Sequence, residues 1–228
     1  MKKFAVIVAG GMGTRMAASL PKQFLMLQGH PVLWYTVETF LNAYADLQVV
    51  LVVPVGYEED AKRAIGFQAA GGRIVMVTGG DTRFHSVRNG LAKIKDEAGP
   101  ETIVFVHDAV RCLVSADLIR RCYSQAADLG SAVPVVDCRD SVRLVDDEGH
   151  SKPIDRSRIK MVQTPQTFRG DILLGAYSLD HQEAFTDEAT VVEIAGQEVH
   201  LIEGEQSNIK ITTPEDMIYA EQLLKGRK

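Results

Sequence analysis

Continuous apolar runs alternate along the chain with stretches whose apolar residues recur every three or four positions. Phe4-Ala5-Val6-Ile7-Val8-Ala9 is the first run, and no polar residue in it marks a wet face. A strand of that kind is covered on both sides, as in a parallel sheet flanked by helices. Val49 to Val53, Arg73 to Val77, Thr102 to Val106 and Ala132 to Val135 predict further strands. Between them, Val32 to Tyr44, Glu58 to Gln68, Ser86 to Lys95 and Leu118 to Leu129 carry helical spacing. The alternation predicts an α/β fold, a Rossmann-like and mostly parallel sheet with helices on both faces. Ligands of such sheets bind beyond the carboxyl ends of the strands. Gly10 to Lys22, Gly79 to Ser86 and Asp108 to Arg111 fall at those ends.

The rhythm breaks near Asp137. Asp137 to Lys160 is polar and mixes both charge signs, and Ser141-Val142-Arg143-Leu144-Val145 alternates as an exposed strand does. Such a segment cannot build a core of its own, so it reads as a protruding β-arm that packs on a partner. Pairing with the same arm of a second chain would satisfy its backbone groups and close a homodimer. The α/β pattern then returns. Asp171 to Leu179 and Asp187 to Ala195 read as helices, Val199 to Ile202 and Ile209 to Ile211 as short strands. Thr213-Pro214-Glu215-Asp216 opens a last helix with a capping hydroxyl, an early proline and acids at the positive dipole end. With no repeat or linker, residues 1–228 read as one domain carrying an arm at about 137–160.

Composition narrows the partners. Of 228 residues 46% are apolar, and the net charge of -5 comes with no long basic block. That argues against nucleic acid and leaves room for a small anionic substrate met by a local basic cluster. No stretch is long and apolar enough to span a bilayer, and no leader pattern opens the chain, so no membrane partner and a cytoplasmic location are expected. Cys112, Cys122 and Cys138 lack metal-type spacing and read as reduced thiols.

The candidate chemistry gathers at the strand ends. In Ala9-Gly10-Gly11-Met12-Gly13-Thr14-Arg15, glycines after a buried strand let backbone N–H groups approach phosphate oxygens. Arg15 and Lys22 add two cations. The glycines alone also fit a plain strand–helix turn. The segment is no Walker loop, and Met16 stands where a dinucleotide fingerprint needs its third glycine. Gly80, Asp81 and Ser86 by themselves read as a turn and helix cap. His107 reads as a structural histidine, since no second base is spaced to use it.

Together, Gly10 to Met16 and Pro21-Lys22-Gln23-Phe24 resemble the signature loop of sugar-phosphate nucleotidyltransferases. The Lys-Gln-Phe form is similar to the cytidylyltransferase branch, most closely the 2-C-methyl-D-erythritol 4-phosphate cytidylyltransferases. Five further segments match in order: Gly79-Gly80-Asp81-Thr82-Arg83 with Ser86-Val87, Val106 to Arg111, Gln163 to Phe168, Thr186-Asp187-Glu188-Ala189, and Asn208 to Thr212. The resemblance implies CTP and a small polyol phosphate as substrates, and Mg²⁺ or another divalent cation. It implies that Arg15, Lys22 and Lys210 serve the reacting phosphates. Ala9, Gly10, Gly11, Gly13, Gly80, Asp81, Ser86 and Asp108 would hold the nucleotide, with Gly80, Asp81 and Ser86 reading cytosine. Arg111, Ser141, Arg156, Thr164 and Thr186 would hold the acceptor, Ser141 and Arg156 reaching into a neighbour's site. No metal ligand is assigned, with Mg²⁺ held mainly by the CTP phosphates and Asp108 the one protein candidate. The arm departs from the family pattern, because Asp137-Cys138-Arg139 inserts a short turn that leaves Cys138 competing with Ser141 for one position. Val110 and Cys112 also replace the alanine and proline expected around Arg111. Ribitol-5-phosphate cytidylyltransferase shares these loops but often has a longer arginine-to-lysine spacing than Arg15 to Lys22. A non-catalytic nucleotide-binding homologue would be expected to lose one of Arg15, Lys22, Asp108 or Lys210, and all four are present.

Overall fold

A computed structural model describes residues 1–10, 20–66 and 71–226. In chain order the elements are β1 (Lys2–Val8), β2 (Met26–Leu27), β3 (His30–Pro31), α1 (Val32–Ala43), β4 (Gln48–Val53), α2 (Glu58–Ile65), β5 (Ile74–Thr78), α3 (Arg83–Ala92), β6 (Thr102–Asp108) and α4 (Ala116–Leu129). They continue with β7 (Ser131–Asp137), β8 (Val142–Val145), β9 (Ser151–Ile154), β10 (Lys160–Val162), β11 (Gln166–Arg169), α5 (Gly170–Ala176), α6 (Glu188–Ile194), β12 (Leu201–Glu203) and α7 (Pro214–Lys225).

The apolar runs become the centre of the main sheet, whose order is β10-β7-β11-β6-β1-β4-β5, with β12 also pairing β7. β5, β4, β1 and β6 are mutually parallel. Alternation explains why each run is apolar throughout. Ala5, Ile7, Leu51 and Phe105 face α1, α2 and α4, while Phe4, Val6, Val52 and Val106 face α3, α5 and α6. Each large side chain buried this way contributes about 1.5–3 kcal/mol. Gly90 lets α3 lie close on the sheet, since a Cβ there would come within 2.6 Å of Val6 Cγ1. α7 closes a third cluster at one edge, with Ala220 beside Leu27, Val32, Leu113 and Ile211.

β11 is antiparallel to both β6 and β7, and β10 is antiparallel to β7. Apolar periodicity predicts neither strand. Gln166 and Thr167 are buried in β11 as polar residues, and Gln166 is satisfied by giving its amide to Asp187 Oδ2 (2.8 Å) and accepting from Ala189 N (2.8 Å). Helix α3 starts at Arg83, earlier than its apolar spacing indicates, because the Thr82 side chain caps it and accepts from His85 N. Ile209 to Ile211 has the in–out–in pattern of a strand but forms none. Ile211 is buried and gives its N–H to Val110 O (2.9 Å), and no ladder neighbour runs alongside.

The polar excursion stands where its composition puts it. Asp137 and Lys160 face each other across β7 and β10 and form an ion pair at its base. Beyond them β8 and β9 make an antiparallel hairpin, Val142 opposite Ile154 and Val145 opposite Ser151. Leu144 and Val145 on the hairpin and Met161 and Val162 on β10 are exposed.

Candidate active site

The register of the sheet assembles the site. Val8 lies opposite Asp108, so the ends of β1 and β6 are level. Gln23 is buried in a 3-10 turn, Lys22–Phe24, and donates its amide to Ala9 O (2.6 Å). That bond ties the half-buried Lys22 to the same edge of the sheet. Gly11, Gly13 and Arg15 lie outside the described residues. Gly10 and Gly80 meet around Ser86. A Cβ on Gly10 would lie 3.1 Å from Ser86 Oγ, and Gly80 N–H donates to that oxygen (3.1 Å). A Cβ on Gly80 would strike His85 Cβ at 2.5 Å, so only glycine fits this turn without movement. Asp81 is exposed at the mouth of the turn.

A cleft of about 170 Å³ opens beside these loops, and Asp108, Arg111, Thr164, Thr186 and Lys210 all line it. These five predicted residues come from four separate segments and converge here. Ser141 and Arg156 do not line it. Both are exposed on the arm, where Arg156 gives a hydrogen bond to Arg139 O (2.7 Å).

Asp108 is the electrostatic centre. Its Oδ2 meets Lys210 Nζ at 2.8 Å, and its Oδ1 accepts from Arg83 Nε at 3.1 Å. Arg111 Nε approaches Oδ2 at 3.9 Å. Burial works against ionisation, but Arg83, Lys210 and Arg111 outweigh it and hold this carboxyl well below the usual carboxylate range. Arg83 is in turn gripped by Glu188, with Nη1–Oε1 at 2.5 Å and Nη2–Oε2 at 2.9 Å, and Tyr177 Oη donates to Glu188 Oε1 (3.0 Å). Arg111 gives Nη1 to Asn208 O (2.9 Å), and Asn208 gives its amide to Thr164 O (2.8 Å). Thus the last matched segment is stitched to the one carrying Thr164.

His107 has a structural part, as its spacing suggests. Its Nε2 lies 3.2 Å from Arg111 O, and a carbonyl only accepts, so Nε2 carries the proton. Nδ1 therefore accepts from the Thr164 hydroxyl (3.1 Å), and that oxygen accepts from Asp108 N–H (3.1 Å). Complete burial pushes the imidazole down to about 3. The unfolded chain then binds this proton more tightly than the folded one. Stability is expected to fall by roughly 1.4 kcal/mol per pH unit below about pH 6.5 and to level off near the folded pKa. Thermal melts of the protein and of His107→Gln from pH 7 to pH 4 check this. The variant should lose that part of the slope, and an unchanged slope would refute the assignment.

Sequence reasoning did not single out Arg83, Glu188, Gln166 or Asn208 as site residues, although each stands inside a matched segment. The available signal was an arginine and a glutamate each followed by an apolar residue that packs: Phe84 and Ala189 are both buried.

Among the described residues no three His, Cys, Asp or Glu side chains come together to hold a metal ion. Both oxygens of Asp108 already face cations, so the described residues do not form a protein cage for a divalent ion.

Moving a phosphoryl-centred group between two anions requires fixed positive charge at the edge of a preformed cleft, and no covalent nucleophile when the acceptor is already ionised. Three cations around one carboxylate, at the carboxyl edge of an α/β sheet and next to a glycine turn, are an arrangement suited to a nucleotidyltransferase. The model of the 2-C-methyl-D-erythritol 4-phosphate cytidylyltransferase family matches residues 4–226. The protein of that description from Bacteroides thetaiotaomicron is 43% identical over 224 residues, covering 98% of this chain and all of the relative. The crystal structure of the Thermus thermophilus protein so named superposes with a TM-score of 0.77 at 31% identity, over 99% of this chain and 100% of that one. A 4-diphosphocytidyl-2C-methyl-D-erythritol synthase from Anaerococcus prevotii gives 0.81 at 25% identity, over 97% and 95%. The chain belongs to the 2-C-methyl-D-erythritol 4-phosphate cytidylyltransferase family and is a cytidylyltransferase enzyme.

Proposed function

We infer that the protein transfers a cytidylyl group from CTP to 2-C-methyl-D-erythritol 4-phosphate, releasing pyrophosphate and forming 4-diphosphocytidyl-2-C-methyl-D-erythritol, a step of non-mevalonate isoprenoid precursor synthesis. An oxygen of the acceptor phosphate attacks the α-phosphorus of CTP in line. The new O–P bond forms as the bond to the β-phosphate bridging oxygen breaks, and the electron pair leaves with pyrophosphate. The observation that carries the site assignment is the convergence of Asp108, Arg111, Thr164, Thr186 and Lys210 on one cleft beside the Gly80–Ser86 turn.

In this reading Arg15 and Lys22 hold the triphosphate, and the segment from Ala9 through Gly10, Gly11 and Gly13 binds the nucleotide, Ala9 through its place at the strand end, since its own N–H is given to Val52 O. Lys210 turns from Asp108 to the charge that builds at the α-phosphate. Arg111, Thr164 and Thr186 receive the acceptor, and Asp108 orients the cations and the ribose side. A divalent cation bound with CTP as its counter-ion would neutralise phosphate charge without a protein cage of its own. The arm hairpin pairs with that of a second chain, and Ser141 and Arg156 complete the neighbour's acceptor site. The exposed Leu144, Val145, Met161 and Val162 support that pairing, because they leave an apolar surface on and beside the arm.

Base choice tests the nucleotide half. In this reading Gly80, Asp81 and Ser86 recognise the edge of cytosine. CTP is expected to be used at least about 100-fold better than ATP or GTP, in line with the discrimination of a site built around hydrogen bonds. UTP, which differs mainly at one exocyclic group, should be rejected less completely. Pyrophosphate release measured with each nucleotide decides it, and equal use of ATP and CTP would remove the base-reading role.

A further inference from the structure

Arg83 lines one wall of the cleft and Glu188 is buried behind it, and neither has a part in the substrate-binding roles above. Glu188 is fully buried at the first turn of α6, and Arg83 is the first residue of α3. The two carboxylate oxygens take the two ends of the guanidinium fork, so its plane is fixed by Glu188. That leaves Nε aimed at Asp108 Oδ1. With Oδ1 taken, Asp108 presents Oδ2 alone to Lys210 and Arg111. Glu188 also offsets the charge of Arg83, so this cation can orient Asp108 without itself becoming a phosphate site.

We propose that Arg83, clamped by Glu188, is a positioning residue: it fixes the Asp108 carboxylate so that Lys210 is held by one oxygen only and is released to the reacting phosphates. Arg83 also begins the helix that carries Ser86 one turn on. The same side chain therefore sets the distance between the base-reading turn and the reacting centre. A lysine cannot replace it, because one ammonium cannot hold both oxygens of Glu188 and reach Asp108 as well. Without the bond to Oδ1 the carboxylate is free to turn both oxygens on Lys210 and keep it.

The inference rests on the roles given above to Asp108 and Lys210, and the experiment separates the two. Steady-state kinetics and melting temperatures are measured for Arg83→Lys, Glu188→Gln, Asp108→Asn and the double variant Arg83→Lys/Asp108→Asn. Phe84→Leu serves as a packing control, since Phe84 stacks on Tyr177 in the same region. Arg83→Lys and Glu188→Gln are expected to lower kcat about 10- to 100-fold, the scale of a small misplacement of reacting groups, with the KM for CTP within about threefold. In the Asp108→Asn background Arg83→Lys should cost less than about twofold more, because both act through one carboxylate. Phe84→Leu should lower the melting temperature without that loss of kcat. If Glu188→Gln fails to fold, the charge-conserving Arg83→Lys and its double variant give the reading. Losses that multiply in the double variant, or kcat within twofold of the parent in Arg83→Lys, would overturn the inference alone. Full turnover in Asp108→Asn would overturn the site assignment, and the inference with it.

Discussion

Lys22→Ala is expected to lower turnover by about 10²–10³-fold, the loss seen when one electrostatic donor to a transition state is removed. The residue belongs to the turn that Gln23 fastens to Ala9 O, at the edge where Val8 faces Asp108. Gln23 and Phe24 are buried and carry the turn's packing, whereas Lys22 itself is half-buried. Its replacement should therefore shift stability by no more than about 1 kcal/mol, or roughly 2–4 °C in Tm for a chain of this size. A folded variant with near-parental turnover would remove Lys22 from the triphosphate site.

The second large effect is a recovery. Lys22→Ala and Arg156→Ala subunits, each nearly inactive alone, are mixed and the heterodimers isolated. If Arg156 serves the neighbouring site, a heterodimer carries one site with both lesions and one with neither. About half the activity of the parental dimer should then return, as two-fold exchange requires. The arm gives this its structural basis: Arg156 lies on it and not in the cleft of its own chain, and the base of the hairpin is fixed by the Asp137–Lys160 pair. Verified heterodimers without recovery would place Arg156 in its own subunit's chemistry or in none.

The parts of the fold that were legible in the sequence are those set by burial on both sheet faces. β1, β4 and β6 announce themselves because every residue in their middles is apolar and enters one of two cores. β11 was hidden because its place between β6 and β7 is secured by hydrogen bonds from Gln166, and polar satisfaction leaves no periodic trace. Ile209 to Ile211 misled for the opposite reason. Two side chains pack inward and Lys210 points to Asp108, which reproduces a strand's alternation without a partner strand. At the site, residues that offer charge to a ligand were legible through their segments. Arg83 and Glu188, which neutralise each other, were not, because their pairing joins positions far apart in the chain. The arm was legible as an unsupported polar excursion, and its hairpin follows from the alternation around Val142 to Val145.

This cleft is expected to join CTP to one particular acceptor. Purified protein supplied with CTP and a divalent cation, and given 2-C-methyl-D-erythritol 4-phosphate or ribitol 5-phosphate in parallel, tests it most directly by phosphorus NMR of the products. A new diphosphate diester and stoichiometric pyrophosphate are expected with the methylerythritol acceptor. With ribitol phosphate kcat/KM should be at least about 100-fold lower, because buried polar groups are left unmatched. Equal turnover of the two acceptors, a preference for ribitol phosphate, or no diphosphate product from either would contradict it.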